Sequence, residues 1–168
     1  PEDFTQKCTN IAYLDLKDAD PAIVQEIDTF MAQLFPDKEL CDYMWEHAAS
    51  ILYGNNLNQT FNIYIGDGRN GKSKFVELMG LVLGDYTATV PVSLITKPRT
   101  AIGGASPEVA GLVGVRYAVM QESSVNDRIN EGTMKELTGG DKVQCRALYK
   151  NSFTFTPQFK LVMPTNNL

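Results

Sequence analysis

The chain has 168 residues, of which 43% are hydrophobic and 21% charged, and this composition is typical of an ordinary globular domain. No apolar run reaches the roughly 18 residues that a membrane span requires, and residues 1–4 lack the features of a signal peptide. Three separated cysteines and a single histidine fit neither a disulfide framework nor a zinc hydrolase. We therefore expect a protein of a reducing compartment, without a membrane contact.

Charge is divided unevenly along the chain. Residues 1–60 carry 11 acids and three lysines, whereas residues 61–168 carry nine acids and 12 bases. A basic second block is compatible with a polyanionic partner although the net charge is −5. The pattern is equally compatible with an uneven spread of solvated side chains, so charge alone does not decide between the two.

The first part of the chain predicts two helices. Asp20 and Pro21 form an N-cap followed by proline at the first helical position, and Pro36 ends this helix. Its apolar stripe is formed by Ile23, Val24, Ile27, Phe30, Met31 and Leu34. A second helix runs from Asp37 to Gly54, a glycine that we expect to cap it. The lone His47 on this helix is more often a packed or solvated side chain than a catalyst.

From residue 58 onward, short apolar runs alternate with helix signals, which predicts a parallel α/β sheet. We therefore divide the chain into a helical segment, residues 1–57, and a core, residues 58–168. The predicted strands are Phe61–Ile65, Thr87–Leu94, Val115–Met120 and Phe159–Met163, with a hairpin formed by Val143–Ala147 and Phe153–Phe155. The predicted helices are Ser73–Leu83, a short helix capped by Ser106, and Ile129–Leu137.

The strongest functional signal is a complete phosphate loop of the form G-x-x-x-x-G-K-[ST], placed between a predicted strand and a predicted helix. Its glycines let successive backbone N–H groups face phosphate oxygens, and the helix adds its positive end. We expect Lys72 to reach the β- and γ-phosphates of ATP and Ser73 to bind Mg²⁺. The predicted nucleotide-binding residues are Gly66, Asp67, Gly68, Arg69, Asn70, Gly71, Lys72, Ser73 and Lys74.

Two polar residues at strand ends are candidates for hydrolysis. Glu122 follows the third strand, where a carboxylate can activate water or hold the metal ion through water. It follows Gln121, whereas many nucleotide hydrolases have an aspartate at that position. Asn166 follows the last strand and could position water or sense the γ-phosphate, because the carboxyl ends of parallel strands converge. Its alternative role is that of a turn residue.

Together, these motifs in their order resemble superfamily 3 helicases, in particular the primase-helicases of poxviruses, other large DNA viruses and some phages. The resemblance covers about residues 20–168. It rests on Gly66–Ser73, Glu122, Lys135–Asp141, Arg146–Lys150 and Thr165-Asn166. In family terms, Gly66–Ser73 matches the Walker A motif, Glu122 the Walker B acid and Asn166 sensor 1.

The resemblance implies an AAA+-like P-loop NTPase core that assembles as a ring, usually a hexamer, and translocates along single-stranded DNA. It also implies a primase domain in the same full-length chain and a place in the cytoplasm of an infected host or of a bacterium. The family's channel hairpin would be centred near Tyr149-Lys150-Asn151. Lys150 would contact a phosphate and Tyr149 would offer an aromatic face, with Arg146 nearby. Without the resemblance, a solvated hairpin tip is the simpler interpretation.

Two departures from the family pattern stand out. The family's arginine finger and its last strand would both lie beyond Leu168, so we expect a piece of a longer protein with an open sheet edge beside the phosphate-loop strand. Arg116, Arg128 and Arg146 remain candidates for a contact in trans. The main hypothesis is an ATP-dependent DNA helicase module. Its rivals are a non-hydrolysing scaffold whose assembly is gated by nucleotide and a small-molecule kinase.

Overall fold

Helices lie on both faces of a parallel sheet in the computed structural model, which describes residues 7–99, 104–120 and 128–166. The helices are α1 (Pro21–Leu34), α2 (Lys38–Ile51), α3 (Lys72–Leu83), α4 (Ser93–Thr96), α5 (Pro107–Ala110) and α6 (Glu131–Thr138). The strands are β1 (Phe61–Ile65), β2 (Thr87–Val90), β3 (Tyr117–Met120), β4 (Val143–Cys145), β5 (Phe153–Phe155) and β6 (Lys160–Thr165). None of the helices described has the length and apolarity needed to cross a bilayer.

Side-chain caps set the starts of the first two helices. The Asp20 carboxylate accepts the backbone N–H of Ala22, with proline at the first helical position, as the sequence predicts. Asp37 caps α2 in the same way by accepting from Leu40. The predicted end of α2 at Gly54 was wrong, because the helix ends at Ile51 and the cap residue is Leu52.

The four strands of the sheet are parallel and follow the order β1-β6-β3-β2. Strand β6 therefore lies in the centre, with Thr165 opposite Ile65 of β1 and Val162 opposite Val119 of β3. This arrangement confirms the predicted parallel α/β core. The predicted hairpin is confirmed as well, since β4 and β5 pair antiparallel.

Alternating side chains of the strands build two cores, one on each face of the sheet. The face covered by α1, α2 and α3 holds Met31, Met44, Ile51, Phe75, Met79, Leu83, Tyr117, Val119 and Val162. The opposite face, covered by α4 to α6 and the hairpin, holds among others Ile95, Val109, Ala118, Met120, Leu137, Val143, Leu161 and Met163. The helical segment and the hairpin thus lie on opposite sides of the sheet.

Two local predictions were wrong. Strand β2 ends at Val90, and Leu94 belongs to the one-turn helix α4 instead of the strand, because Pro91 has no N–H to continue the ladder. Ser106 precedes α5, but its side chain makes no capping hydrogen bond. Its hydroxyl accepts instead from the backbone N–H of Arg146 at 3.2 Å, and so ties α5 to the hairpin.

Strand β1 forms an edge of the sheet. Among the described strands it pairs with β6 alone, and Ile63 and Ile65 are 37% and 50% exposed. The predicted open edge beside the phosphate loop is therefore present in the described part of the chain.

Candidate active site

The loop between β1 and α3 carries the predicted phosphate-binding residues. It ends at Gly71, the N-cap of α3, whose φ of +81° lies in the left-handed region. A Cβ at this position would lie 2.6 Å from Leu34 Cδ1 of α1. The backbone conformation therefore favours glycine here, and a side chain at this position would also displace the Leu34 side chain.

The loop closes tightly on itself. The Gly68 N–H donates to the Gly66 carbonyl at 2.8 Å, and Gly68 and Arg69 have φ values of +83° and +52°. The Asn70 side chain folds back so closely over Gly66 that a Cβ there would overlap its amide nitrogen. Tight turns of successive residues form the concavities in which backbone N–H groups bind anions.

The ammonium group of Lys72 lies at the centre of the site and donates to three oxygens. These are the Gly66 carbonyl at 2.6 Å, Asn70 Oδ1 at 3.0 Å and Asn166 Oδ1 at 3.0 Å. All three acceptors are neutral, so the positive charge has no carboxylate partner within ion-pair distance among the described residues. The side chain is thereby oriented without its charge being neutralised.

Sheet register explains why Asn166 meets Lys72. Because Thr165 is paired with Ile65, the residues that follow, Asn166 and Gly66, leave neighbouring strands side by side. The expected convergence of strand ends is thus observed for these two segments. The sequence did not reveal the role of Asn70 as a third partner of the lysine, because its contact depends on the loop conformation.

The N-terminus of α3 opens directly onto the loop. Its N-cap makes no side-chain hydrogen bond, and the first intrahelical bond runs from the Phe75 N–H to the Gly71 carbonyl at 3.0 Å. The N–H groups of residues 72–74 therefore have no acceptor within the helix. The side chains of Asp67, Arg69 and Ser73 are exposed. Lys74 is exposed too, and it pairs with Glu77 at 2.8 Å.

Glu122 and the preceding Gln121 lie outside the described residues. Strand β3, which leads to them, ends at Met120 next to β6. In the three described ranges, no group of three or more His, Cys, Asp or Glu side chains is arranged to hold a metal ion. Of the two predicted metal ligands, Ser73 lies within the described residues, in the first turn of α3, and Glu122 does not.

A cavity of about 490 Å³ lies between α2 and the open edge of β1 and extends to Asn70 and Lys72. On its wall, His47 Nε2 is hydrogen-bonded to the Tyr64 hydroxyl at 2.7 Å. Burial, and secondly the positive charge of Lys160, lower the pKa of His47 to about 4. The histidine is thus a packed, neutral side chain at neutral pH, as the sequence predicts.

The residues predicted to contact nucleic acid lie at the tip of the β4–β5 hairpin and near the end of β4. Tyr149 lies at the tip, fully exposed and with a φ of +59°, next to exposed Lys150. Arg146 lies half-buried near the end of β4. Leu148 is 58% exposed beside Tyr149 and was missed by the sequence analysis. An apolar residue directly before the predicted turn at Tyr149-Lys150-Asn151 could have identified it.

Of the candidate arginines, Arg116 is engaged within the fold. Its guanidinium donates to the Leu52 carbonyl and lies over the Tyr86 ring, 4.5 Å from the centroid. It therefore connects the end of α2 to the region before β2. Arg128 is exposed, and Arg146 is half-buried near the end of β4.

The chain matches one family model and is similar to proteins of large DNA viruses. The model of a family of unknown function, DUF5906, matches residues 64–168. The chain is 38% identical over its whole length to "Putative helicase L207/L206" of Acanthamoeba polyphaga mimivirus and covers 17% of that protein. It is 34% identical over 86% of its length to "Putative helicase 022R" of Frog virus 3, of which it covers 15%. The chain therefore spans less than a fifth of these curated relatives.

Two further matches are more distant. The chain is 27% identical over 62% of its length to "Putative primase C962R" of African swine fever virus, of which it covers 11%. Among solved structures, an apo structure of the NrS-1 C-terminal region matches 95% of this chain with a TM-score of 0.65 and 12% identity, and 36% of that chain is covered. At this level of identity, the structural match shows a shared fold.

Proposed function

The chain belongs to the DUF5906 family, and we propose that it is the ATP-hydrolysing helicase module of a viral or phage replication protein of the superfamily 3 type. One observation carries the proposal. Lys72 of the phosphate loop and Asn166 of β6 meet at 3.0 Å at the carboxyl edge of a parallel sheet. Viral relatives whose names include helicase and primase support the replication context.

In the proposed binding step, phosphate oxygens of ATP replace the neutral acceptors of the Lys72 ammonium. The exchange is favourable because a phosphate supplies the negative charge that three amide and carbonyl oxygens lack. The uncapped N–H groups at the start of α3 complete the cradle. Mg²⁺, held by the Ser73 hydroxyl and by Glu122 through water, would neutralise charge that develops on the phosphates.

In the proposed hydrolytic step, water positioned by Asn166 attacks the γ-phosphorus and gives a proton to Glu122, while the bond to the β,γ-bridging oxygen breaks and ADP leaves. Lys72 stabilises the charge on the transferred phosphoryl group. Because Asn166 Oδ1 accepts a hydrogen bond from Lys72, phosphate oxygens that take its place would release the Asn166 amide for its second role. The loop and β6 would therefore respond to the nucleotide together.

The hairpin supplies the proposed contact with single-stranded DNA. Exposed Tyr149 offers a surface for base stacking, and the adjacent Lys150 offers a phosphate contact. One such tip per subunit would give several contacts in a ring, for which we propose a hexamer. The relative lengths leave room for a primase domain in the full-length protein, which would act in the cytoplasm of an infected cell or a bacterium.

Phosphate release measured with and without single-stranded DNA tests the enzymatic proposal. We expect Lys72→Ala to lower turnover by about 10²-fold to 10³-fold, because it removes the charge at the phosphates. The matched control is Lys38→Ala, which removes an exposed lysine paired with Asp42 on α2. Nucleotide binding without turnover in the parent protein would contradict the proposal and favour the scaffold. Phosphoryl transfer to a metabolite would favour a kinase.

Salt-dependent DNA binding tests the hairpin separately. Lys150→Ala is expected to reduce the slope of log affinity against log salt by about 1, since one phosphate contact is lost. Lys142→Ala is the control, because Lys142 is an exposed lysine that precedes β4 at the opposite end of the hairpin. A slope that is the same in Lys150→Ala and the parent would remove this lysine from the DNA interface.

A further inference from the structure

A second lysine is placed at the opposite end of the central strand. Lys160 is the first residue of β6 and lies in register with the fully buried Tyr117 of β3. The side chains of Lys160 and Val162 share a face because side chains alternate along a strand. That face is the one covered by α1 to α3. Only 5% of Lys160 is exposed.

Lys160 lines a small pocket of about 200 Å³ beneath the end of α2. The other walls are the last turn of α2 and the segment that follows it, with Ser50, Tyr53, Asn55, Leu57 and Asn58. Five residue steps of about 3.3 Å separate Lys160 from Thr165, so the pocket is roughly 17 Å from the phosphate-loop edge. It is therefore distinct from the candidate nucleotide site.

Three side chains that line this pocket carry donors without an acceptor in the described part of the chain, whereas the Ser50 hydroxyl donates to the His47 carbonyl at 2.6 Å. Among the described residues, the Lys160 ammonium has neither a carboxylate within 4.0 Å nor a hydrogen-bond acceptor, and the side-chain amides of Asn55 and Asn58 make no hydrogen bond. Burial without a compensating charge lowers the pKa of Lys160. The same positive charge also contributes to the lowered pKa of His47.

We propose that this pocket binds one oxyanion, a phosphate or carboxylate group, between the Lys160 ammonium and the amides of Asn55 and Asn58. A buried cation needs a counter-charge and hydrogen-bond acceptors, and an oxyanion supplies both. The pocket volume of about 200 Å³ accommodates a group of this size. A bound anion would therefore lie at the amino end of β6, whose carboxyl end carries Asn166.

The single histidine of the chain provides the readout. We would follow the ring resonances of His47 by NMR at pH 6.5 while adding inorganic phosphate or sodium acetate against sodium chloride at constant ionic strength. We expect a saturable shift with roughly millimolar affinity for phosphate, because the anion changes the field beside His47. The acetate series shows whether a carboxylate is also accepted.

Matched variants assign the shift to this pocket. Lys72→Ala should retain it, which separates the pocket from anions bound at the phosphate loop. Lys160→Met should abolish it, and Asn58→Ala, a change at an exposed position, should weaken it several-fold without disturbing the core. The proposal is overturned if neither anion shifts His47, or if the phosphate shift persists unchanged in both Lys160→Met and Asn58→Ala.

Discussion

Two lysines with contrasting surroundings lie at the two ends of strand β6, Lys72 beside its carboxyl end and Lys160 at its first residue. At the carboxyl end, Lys72 donates to three neutral oxygens and remains accessible from the loop. At the amino end, Lys160 is 5% exposed and its ammonium group has no acceptor among the described residues. One oriented cation, on α3, thus lies beside the carboxyl end of β6, and one desolvated cation lies on its first residue.

This difference shows that burial and preorganisation are separate properties of a charged group. Neutral acceptors fix the position of Lys72 and leave its charge available to a ligand. Desolvation of Lys160 disfavours its charged form and lowers its pKa. The positive charge of Lys160 also contributes to the lowered pKa of His47. The first arrangement suits rapid exchange of phosphates, and the second suits the binding of a single anion.

The largest expected effect concerns the carboxyl end. Asn166→Ala should lower ATP turnover by about 10²-fold while changing nucleotide affinity little, because Lys72 keeps two of its acceptors and still meets the phosphates. Steady-state kinetics and direct nucleotide binding measure the two quantities. Asn166→Asp retains an acceptor for Lys72 but adds a negative charge near the phosphates, so it should also be slow. Turnover at the parent rate in Asn166→Ala would show that the contact between Asn166 and Lys72 has no part in ATP hydrolysis.

The next effect concerns the amino end and its histidine. The pKa of His47 is about 4 in the folded chain and about 6.5 when unfolded. Between about pH 6.5 and pH 4, His47 binds a proton in the unfolded state but not in the folded state. The free energy of unfolding therefore falls as the pH is lowered through this range. At pH 5 the loss should be about 2 kcal/mol relative to pH 7.

Urea denaturation at pH 7 and pH 5 checks this prediction. His47→Gln removes the titrating ring, so the difference between the two pH values should shrink by most of that amount. An equal loss in the variant and the parent would assign the acid sensitivity to carboxylates instead of His47.

The smallest effect is expected for Lys160→Met. Replacing a desolvated ammonium by an apolar chain of similar length should raise the free energy of unfolding by about 1 kcal/mol at neutral pH. Denaturation in buffers free of phosphate and carboxylates measures it. A clear loss of stability would mean that Lys160 is compensated in the folded chain, and the contrast between the two lysines would then disappear.

Local signals explain why the phosphate-loop region was predictable. Strand β1 has the predicted bounds, and α3 begins one residue before the predicted start, because an apolar run, a glycine loop and an amphipathic helix follow one another directly. The meeting of Lys72 and Asn166 also followed from a general property of parallel sheets. Glu122 stays a prediction, since it lies outside the described residues.

Contacts over long sequence separations explain the errors. Lys160 is one of the 12 bases of residues 61–168 that are compatible with a polyanionic partner, but β6 turns its side chain under α2, away from the face that carries β4 and β5. The fold-back of Asn70 over Gly66 depends on loop torsions that no local pattern specifies. Arg116 likewise joins Leu52 and Tyr86, which are distant in sequence.

The contact of Leu34 with Gly71 links the helical segment to the nucleotide loop. With only a hydrogen at Gly71 Cα, the Leu34 side chain at the end of α1 packs against the backbone that precedes Lys72. A change in that backbone would be passed to α1 through this side chain, since packed side chains transmit small movements. A movement of α1 would therefore transmit a conformational change of the loop to a surface that packs against α1.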